Sequence, residues 1–323
     1  MKNNSMYLCP VTIGGQKLML DFDTCSRDLW VISSRPDQAT QALFKSDGHT
    51  IYDPSRSHTA TAAPGETWKI EYGDGSNASD DVANDTVTVG NIIIEAQAVE
   101  YTVKPKKLRT PVENMVSQGD IPPVYRLFAV CLSSWKDTDE PGQGKSFYTF
   151  GMIDQTVMKR CNATDFFWTP LVDQFRGFWE FPSKFFVVNG TTIPRKAAQK
   201  GGNSAIAGTT LALLDDETCV AIYKCIKGSR YDYQNQDYVF PSNTPERGLS
   251  SVGFYVCNRA SFGPKESLLF AETEPGWSYG GIQSRGDLPF DILGDTSLKG
   301  IYAGKKRFGA VQHNLESQDL KLQ

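Results

Sequence analysis

The stretch Leu20–Val31, LDFDTCSRDLWV, decides how the chain folds. An apolar run ends on an acid, Asp23, enters a short polar turn at Thr24, Cys25 and Ser26, and becomes apolar again from Leu29. This places Asp23 between a β-strand and a turn, the position a catalytic carboxylate occupies when backbone amides hold it. Just upstream, TIGGQKL (residues 12–18) has two glycines between alternating residues, which predicts a tight hairpin.

Working outward, the β signal continues. WKIEYGDGS (68–76), DTVTVGNIIIEAQAVEY (85–101), LFAVCL (127–132), FYTFGMI (147–153) and KFFVVNGTTI (184–193) are short, rich in β-branched and aromatic residues, and separated by Gly, Asn and Asp. Two helices are predicted, at PVENMVSQG (111–119) and DDETCVAIYKCIKG (215–228). The second has acids at its start and lysine near its end, as the helix dipole favours. A fainter copy of the opening stretch occurs at Ser204–Asp216, SAIAGTTLALLDD, where an apolar strand again breaks into a turn of small residues. The expectation is a mostly β, bilobal chain with few short helices, its N-terminal lobe at 1–150 and its C-terminal lobe at 151–323.

With 323 residues and 40% hydrophobic content the chain can bury a substantial core. The net charge of −4 and the scattered lysines and arginines exclude a basic stripe for nucleic acid. No apolar run approaches the length of a membrane span, and no apolar leader follows Met1, so a cytoplasmic location is expected. Seven dispersed cysteines fit free thiols in a reducing compartment, with Cys219 and Cys225 read as buried structural thiols. Sequons stand at Asn3, Asn77, Asn84, Asn162 and Asn189 and matter only if the chain is secreted. Neither a metal nor a cofactor is expected, and the chain is expected to be a monomer.

In order along the chain, the motifs resemble those of the pepsin-like aspartic proteases, most similar to the fungal branch. The resemblance implies a bilobal double β-barrel with YGDGS at Tyr72–Ser76 as the flap tip. In that family, one carboxylate from each lobe meets the other about 3 Å away, and the pair shares a proton because two such close anions cannot coexist. Asp23 matches the first acid, in D-T-C where the family has D-T-G. The second position reads Ile206-Ala207-Gly208-Thr209-Thr210, an Asp-Thr pair shorter than the family pattern. Asp215 and Asp216 fall where the next helix begins and are expected to cap it.

Further departures concern the framework. Cys25 adds a Cβ where the family has glycine. The family's D-G-x-x-G-L/I segment has no match between Tyr101 and Leu127, whereas its C-terminal counterpart, ILGD at Ile292–Asp295, is intact. Pro241 and Ser278 stand about where the fungal enzymes carry a disulfide.

The resemblance implies these site residues: Asp23 as a lone general acid, Asp295 as the one candidate substitute acid, and Tyr72, Asp74, Trp30, Cys25, Gly208 and Thr209 as ligand-facing groups, with core packing the competing role for Trp30. The expectation is a non-proteolytic homologue, an intracellular cyclase or isomerase of specialised metabolism acting on a small molecule in the interlobe cleft. The alternatives are a pseudoprotease that binds peptides or a protein partner without turnover and, more weakly, a residual endopeptidase.

Overall fold

The computed structural model describes residues 7–22, 28–71, 77–101, 109–133, 146–172, 179–195, 204–206, 209–288, 290–299, 301–304 and 308–312. The chain divides into two compact units. One comprises Leu8–Phe22 and Arg27–Arg126, and the other is built on Leu127–Gln323 together with Tyr7.

The first unit is one antiparallel sheet organised around the long strand Asn77–Val89, which pairs with Leu8–Ile13, Thr61–Glu71 and Ile92–Tyr101. The expected hairpin forms: Ile13 pairs with Gln16 across Gly14 and Gly15, at φ +53° and +79°. Both turn residues are left-handed, which a type I′ turn requires and glycine adopts without strain. A Cβ at Gly14 would also strike the Asp85 carboxylate and Ser57. Inward-facing Val11, Ile13, Leu18, Val87, Ile94 and Val99 form the core of this unit, and each contributes roughly 1.5–3 kcal/mol by leaving water. Asp85 is fully buried but not orphaned, since it accepts from Tyr52 at 2.5 Å, Ser57 at 3.0 Å and the Thr86 amide at 2.7 Å.

Helix Pro111–Gln118 closes one side of this unit. Thr110 and Glu113 form a reciprocal capping box, and Gly119 ends the helix at φ +91°. Its Asn114 donates to Gln97 at 2.9 Å and its Gln118 to the Glu95 carbonyl at 2.6 Å, so the helix lies along strand Ile92–Tyr101.

The second unit contains four sheets. A five-stranded sheet runs Phe147–Phe150, Phe128–Cys131, Ile301–Gly304, Phe308–Gln312 and Phe167–Thr169, and another runs Ile282–Ser284, Ala212–Leu214, Asp291–Ile292, Ser204–Ile206 and Glu180–Pro182. Two four-stranded sheets complete it. Aromatic side chains fill its core: Phe181 stacks on Phe308 at 4.1 Å, and Tyr223 stacks on Tyr238 at 4.5 Å. Asn189 and Gly190 turn the hairpin between Phe185–Val188 and Thr191–Pro194, both at positive φ.

The mostly β expectation holds. Both predicted helices are present, at Pro111–Gln118 and Asp216–Lys224. Three more were not predicted: Gln38–Ser46, Gln155–Arg160 and Gly294–Leu298. The first two begin at side-chain caps, Asp37 and Asp154, that precede no strong apolar stripe. Among the described residues no helix is long and apolar enough to cross a membrane.

Candidate functional site

In the second unit, the turn corresponding to the faint copy is built by a threaded segment. Asp291–Ile292 lies between the two strands that flank this turn, parallel to Ser204–Ile206 and antiparallel to Ala212–Leu214 at Leu213. The chain then turns left-handed at Gly294, φ +57°, where a Cβ would run into the carbonyls of Leu211 and Thr209. Only glycine allows that approach. The Asp295 amide donates to the Thr209 carbonyl at 2.5 Å, and the Thr296 amide and hydroxyl donate to the Thr210 carbonyl at 3.3 and 3.1 Å. Thr209 Oγ1 donates in turn to the Leu211 carbonyl at 2.5 Å. Of the candidate residues, Thr209 and Asp295 are therefore brought together, both partly buried.

The surroundings of this crossing are ionic and largely buried. Asp291 pairs with the buried Arg195 and, at 3.0 Å, with Arg285. Arg195 also donates to the Ser183 carbonyl at 2.5 Å. Burial raises the Asp291 pKa above the usual carboxylate range, and the two guanidinium groups oppose that shift. Four residues past Asp295, the Lys299 side chain is buried. Desolvation lowers its pKa to about 8, while Asp295 and Glu266 favour its charged form. Lys299 lies 5.7 Å from the Tyr7 ring, and the Tyr7 hydroxyl donates to the Ser133 carbonyl at 3.0 Å. Asp215 caps helix Asp216–Lys224 as expected, accepting from the Thr218 amide at 2.9 Å and hydroxyl at 2.8 Å.

Asp23, Cys25, Tyr72, Asp74 and Gly208 lie outside the described residues. Trp30 is described, and it is not a core residue: its relative exposure is 36%. Its backbone bridges to Glu100, with the Glu100 amide donating to Leu29 at 2.8 Å and the Val31 amide to Glu100 at 3.3 Å. The core-packing role for Trp30 is therefore corrected, because the residues buried at this junction are Val31 and Glu100.

Glu100 was not anticipated. Its carboxyl is buried and its Oε2 has no hydrogen-bond partner among the described residues. Burial, then the nearby Asp28, raises its pKa to about 9, so at neutral pH it carries a proton. Strand alternation could not reveal it. A bulge at Ala96, φ +48°, resets the alternation, and the Leu29–Val31 segment covers the strand end.

One expectation about sulfur changes. Cys219 is buried, but Cys225 at the end of the same helix is exposed, and so is Cys257. Near the position where the fungal enzymes carry a disulfide, Ser278 pairs with Phe240 in the sheet and donates to Ser242 Oγ at 2.8 Å. The hydrogen bond lies one residue beyond Pro241.

The threaded segment, the glycine-dependent turn and the strand order define a pepsin-like protein. The eukaryotic aspartyl protease family matches residues 6–110 and 101–306, and the chain belongs to that family. It is similar to aspergillopepsin-1 of Aspergillus fumigatus, 37% identical over 330 residues covering 93% of this chain and 75% of that protein. Aspergillopepsin-1 of Aspergillus oryzae is 36% identical over 331 residues, 93% of this chain and 74% of that protein. That of Aspergillus clavatus is 33% identical over 326 residues, 91% of this chain and 74% of that protein. These relatives overturn the cytoplasmic expectation, because secreted enzymes of this kind point to an extracellular location. The expectation rested on the residues after Met1, and the chain spans only about three quarters of the relatives' length.

Proposed function

We propose that this member of the family is non-proteolytic and holds extended peptides without hydrolysing them. The observation that carries this reading is the turn at Thr209: from Ser204 to Leu214 the chain contains no acid, yet among the described residues the amides of Asp295 and Thr296 still tie the crossing to the turn. Hydrolysis by two carboxylates needs an ionised one to activate water and a protonated one to donate to the scissile carbonyl. Asp295 is a poor replacement. Its backbone is tied to the Thr209 carbonyl, and its charge acts on the buried Lys299 ammonium.

Peptides are the preferred ligand class because the relatives are peptidases by name and the similarity extends across more than nine tenths of this chain. Isothermal titration at pH 4–5 with a mixture of unstructured peptides is expected to show saturable binding, with the peptides recovered intact. A small-molecule enzyme is the second reading, favoured by the region between Tyr101 and Leu127, which lacks the family's buttress pattern and carries a capped helix. Absence of peptide binding, with turnover of a small metabolite that Asp23→Asn abolishes, would favour that reading.

A further inference from the structure

We propose that Asn162 and Asn189 are N-glycosylated, each bearing an oligosaccharide on its side-chain amide nitrogen. This inference rests on the extracellular location and is independent of whether the site hydrolyses peptides.

Two of the five sequons share a geometry. Asn162-Ala163-Thr164 follows helix Gln155–Arg160, with Asn162 exposed at φ +49°. Asn189-Gly190-Thr191 forms the tip of the hairpin between Phe185–Val188 and Thr191–Pro194, with Asn189 exposed at φ +47°. Strand Thr191–Pro194 is an edge strand, so this tip projects from the end of its sheet. Neither middle residue is proline, which the acceptor motif excludes.

Left-handed turns favour asparagine for conformational reasons alone, and that accounts for Asn162 and Asn189 without any glycan. It does not account for the hydroxyl two residues later. Thr164 and Thr191 are both exposed, and their hydroxyls have no hydrogen-bond partner among the described residues. The side chain of Asn189 is also arranged suitably: its Oδ1 accepts from the Ser251 amide at 2.8 Å, which leaves Nδ2 to the solvent. Glycosylation retains the amide carbonyl, so this hydrogen bond survives the modification. Asn84 differs. It lies within the central strand Asn77–Val89, paired on both sides with Thr61 and Ala98, and is followed by the fully buried Asp85. Asn3 and the side chain of Asn77 lie outside the described residues.

The transfer needs a lipid-linked diphosphate oligosaccharide as donor. The asparagine Nδ2 forms a bond to the sugar C1 while the bond from C1 to the diphosphate oxygen breaks. The lipid diphosphate leaves with the electron pair, and the amide gives up one proton.

The test directs the full chain into the secretory pathway of a yeast and treats the purified product with peptide-N-glycosidase in heavy-oxygen water, followed by peptide mass spectrometry. Heavy-oxygen aspartate is expected at positions 162 and 189 in most molecules, and unmodified asparagine at 84. Thr164→Ala and Thr191→Ala should each abolish the label at their own site alone. Unmodified asparagine at both turns would overturn the proposal. So would ordinary-oxygen aspartate at 189, the mark of spontaneous Asn-Gly deamidation, or labelling at 84 in place of the turns.

Discussion

The segment that supports the Thr209 turn and the one that holds Leu29–Val31 are both tied by backbone hydrogen bonds, but they differ in the ionisable groups beside them. In the second unit, Asp291–Ile292 passes between two strands, Gly294 turns sharply, and the amides of Asp295 and Thr296 donate to the turn. These contacts between neutral backbone groups do not titrate. In the first unit, Leu29–Val31 is tied to Glu100, whose buried carboxyl keeps its proton to about pH 9. Both ties are therefore made by backbone groups, and what differs is the neighbourhood: a buried carboxyl that titrates beside Leu29–Val31, and the Asp291 ion pairs beside the Thr209 turn. The crossing at the Thr209 turn is held by backbone groups rather than by the side chain of an acid in that turn.

The largest way to break this contrast is Gly294→Ala. The substitution forces a β-carbon against the Leu211 and Thr209 carbonyls at a left-handed φ, and a loss of about 3 kcal/mol is expected. Urea unfolding measures it, and a loss below about 0.5 kcal/mol would mean that the crossing yields easily. A change of intermediate size sharpens the sulfur comparison. Ser242→Cys with Ser278→Cys replaces a 2.8 Å hydrogen bond by a disulfide, with an expected gain of about 2 kcal/mol. Thiol titration before and after reduction, together with the melting temperature, checks it.

A third effect concerns pH. Glu100 has a folded pKa of about 9 against an ordinary value of 4.5. A raised carboxyl pKa favours folding while the group is protonated, so this stability is complete below pH 4.5 and is lost as pH rises towards 9. Glu100→Gln is expected to match the wild type at pH 4 and to melt several degrees higher at pH 8. Equal melting temperatures at pH 8 would remove Glu100 from the account.

Much of the framework was legible because its signals are local. The Gly14-Gly15 and Asn189-Gly190 hairpins, the Thr110 capping box and the Asp215 cap each depend on two to four neighbouring residues. Helix Gln38–Ser46 was not legible because none of its residues is buried, so no apolar stripe marks it. The meeting of Thr209 with Asp295 came only from the family resemblance, since 86 residues separate them in sequence. The buried ionisable groups Glu100, Arg195 and Lys299 gave no signal, because a charged residue in a sequence reads as surface. Location was misread for a different reason: the chain's own beginning was treated as informative when its relatives are longer.

Under the proposed function, a pepsin-like framework persists here without peptide hydrolysis. The most direct test of this reading is digestion of denatured protein substrate between pH 3 and pH 6, with wild-type chain beside Asp23→Asn. The account predicts no cleavage above background by either. Cleavage by the wild type that Asp23→Asn abolishes would contradict it and make Asp23 one half of a working pair.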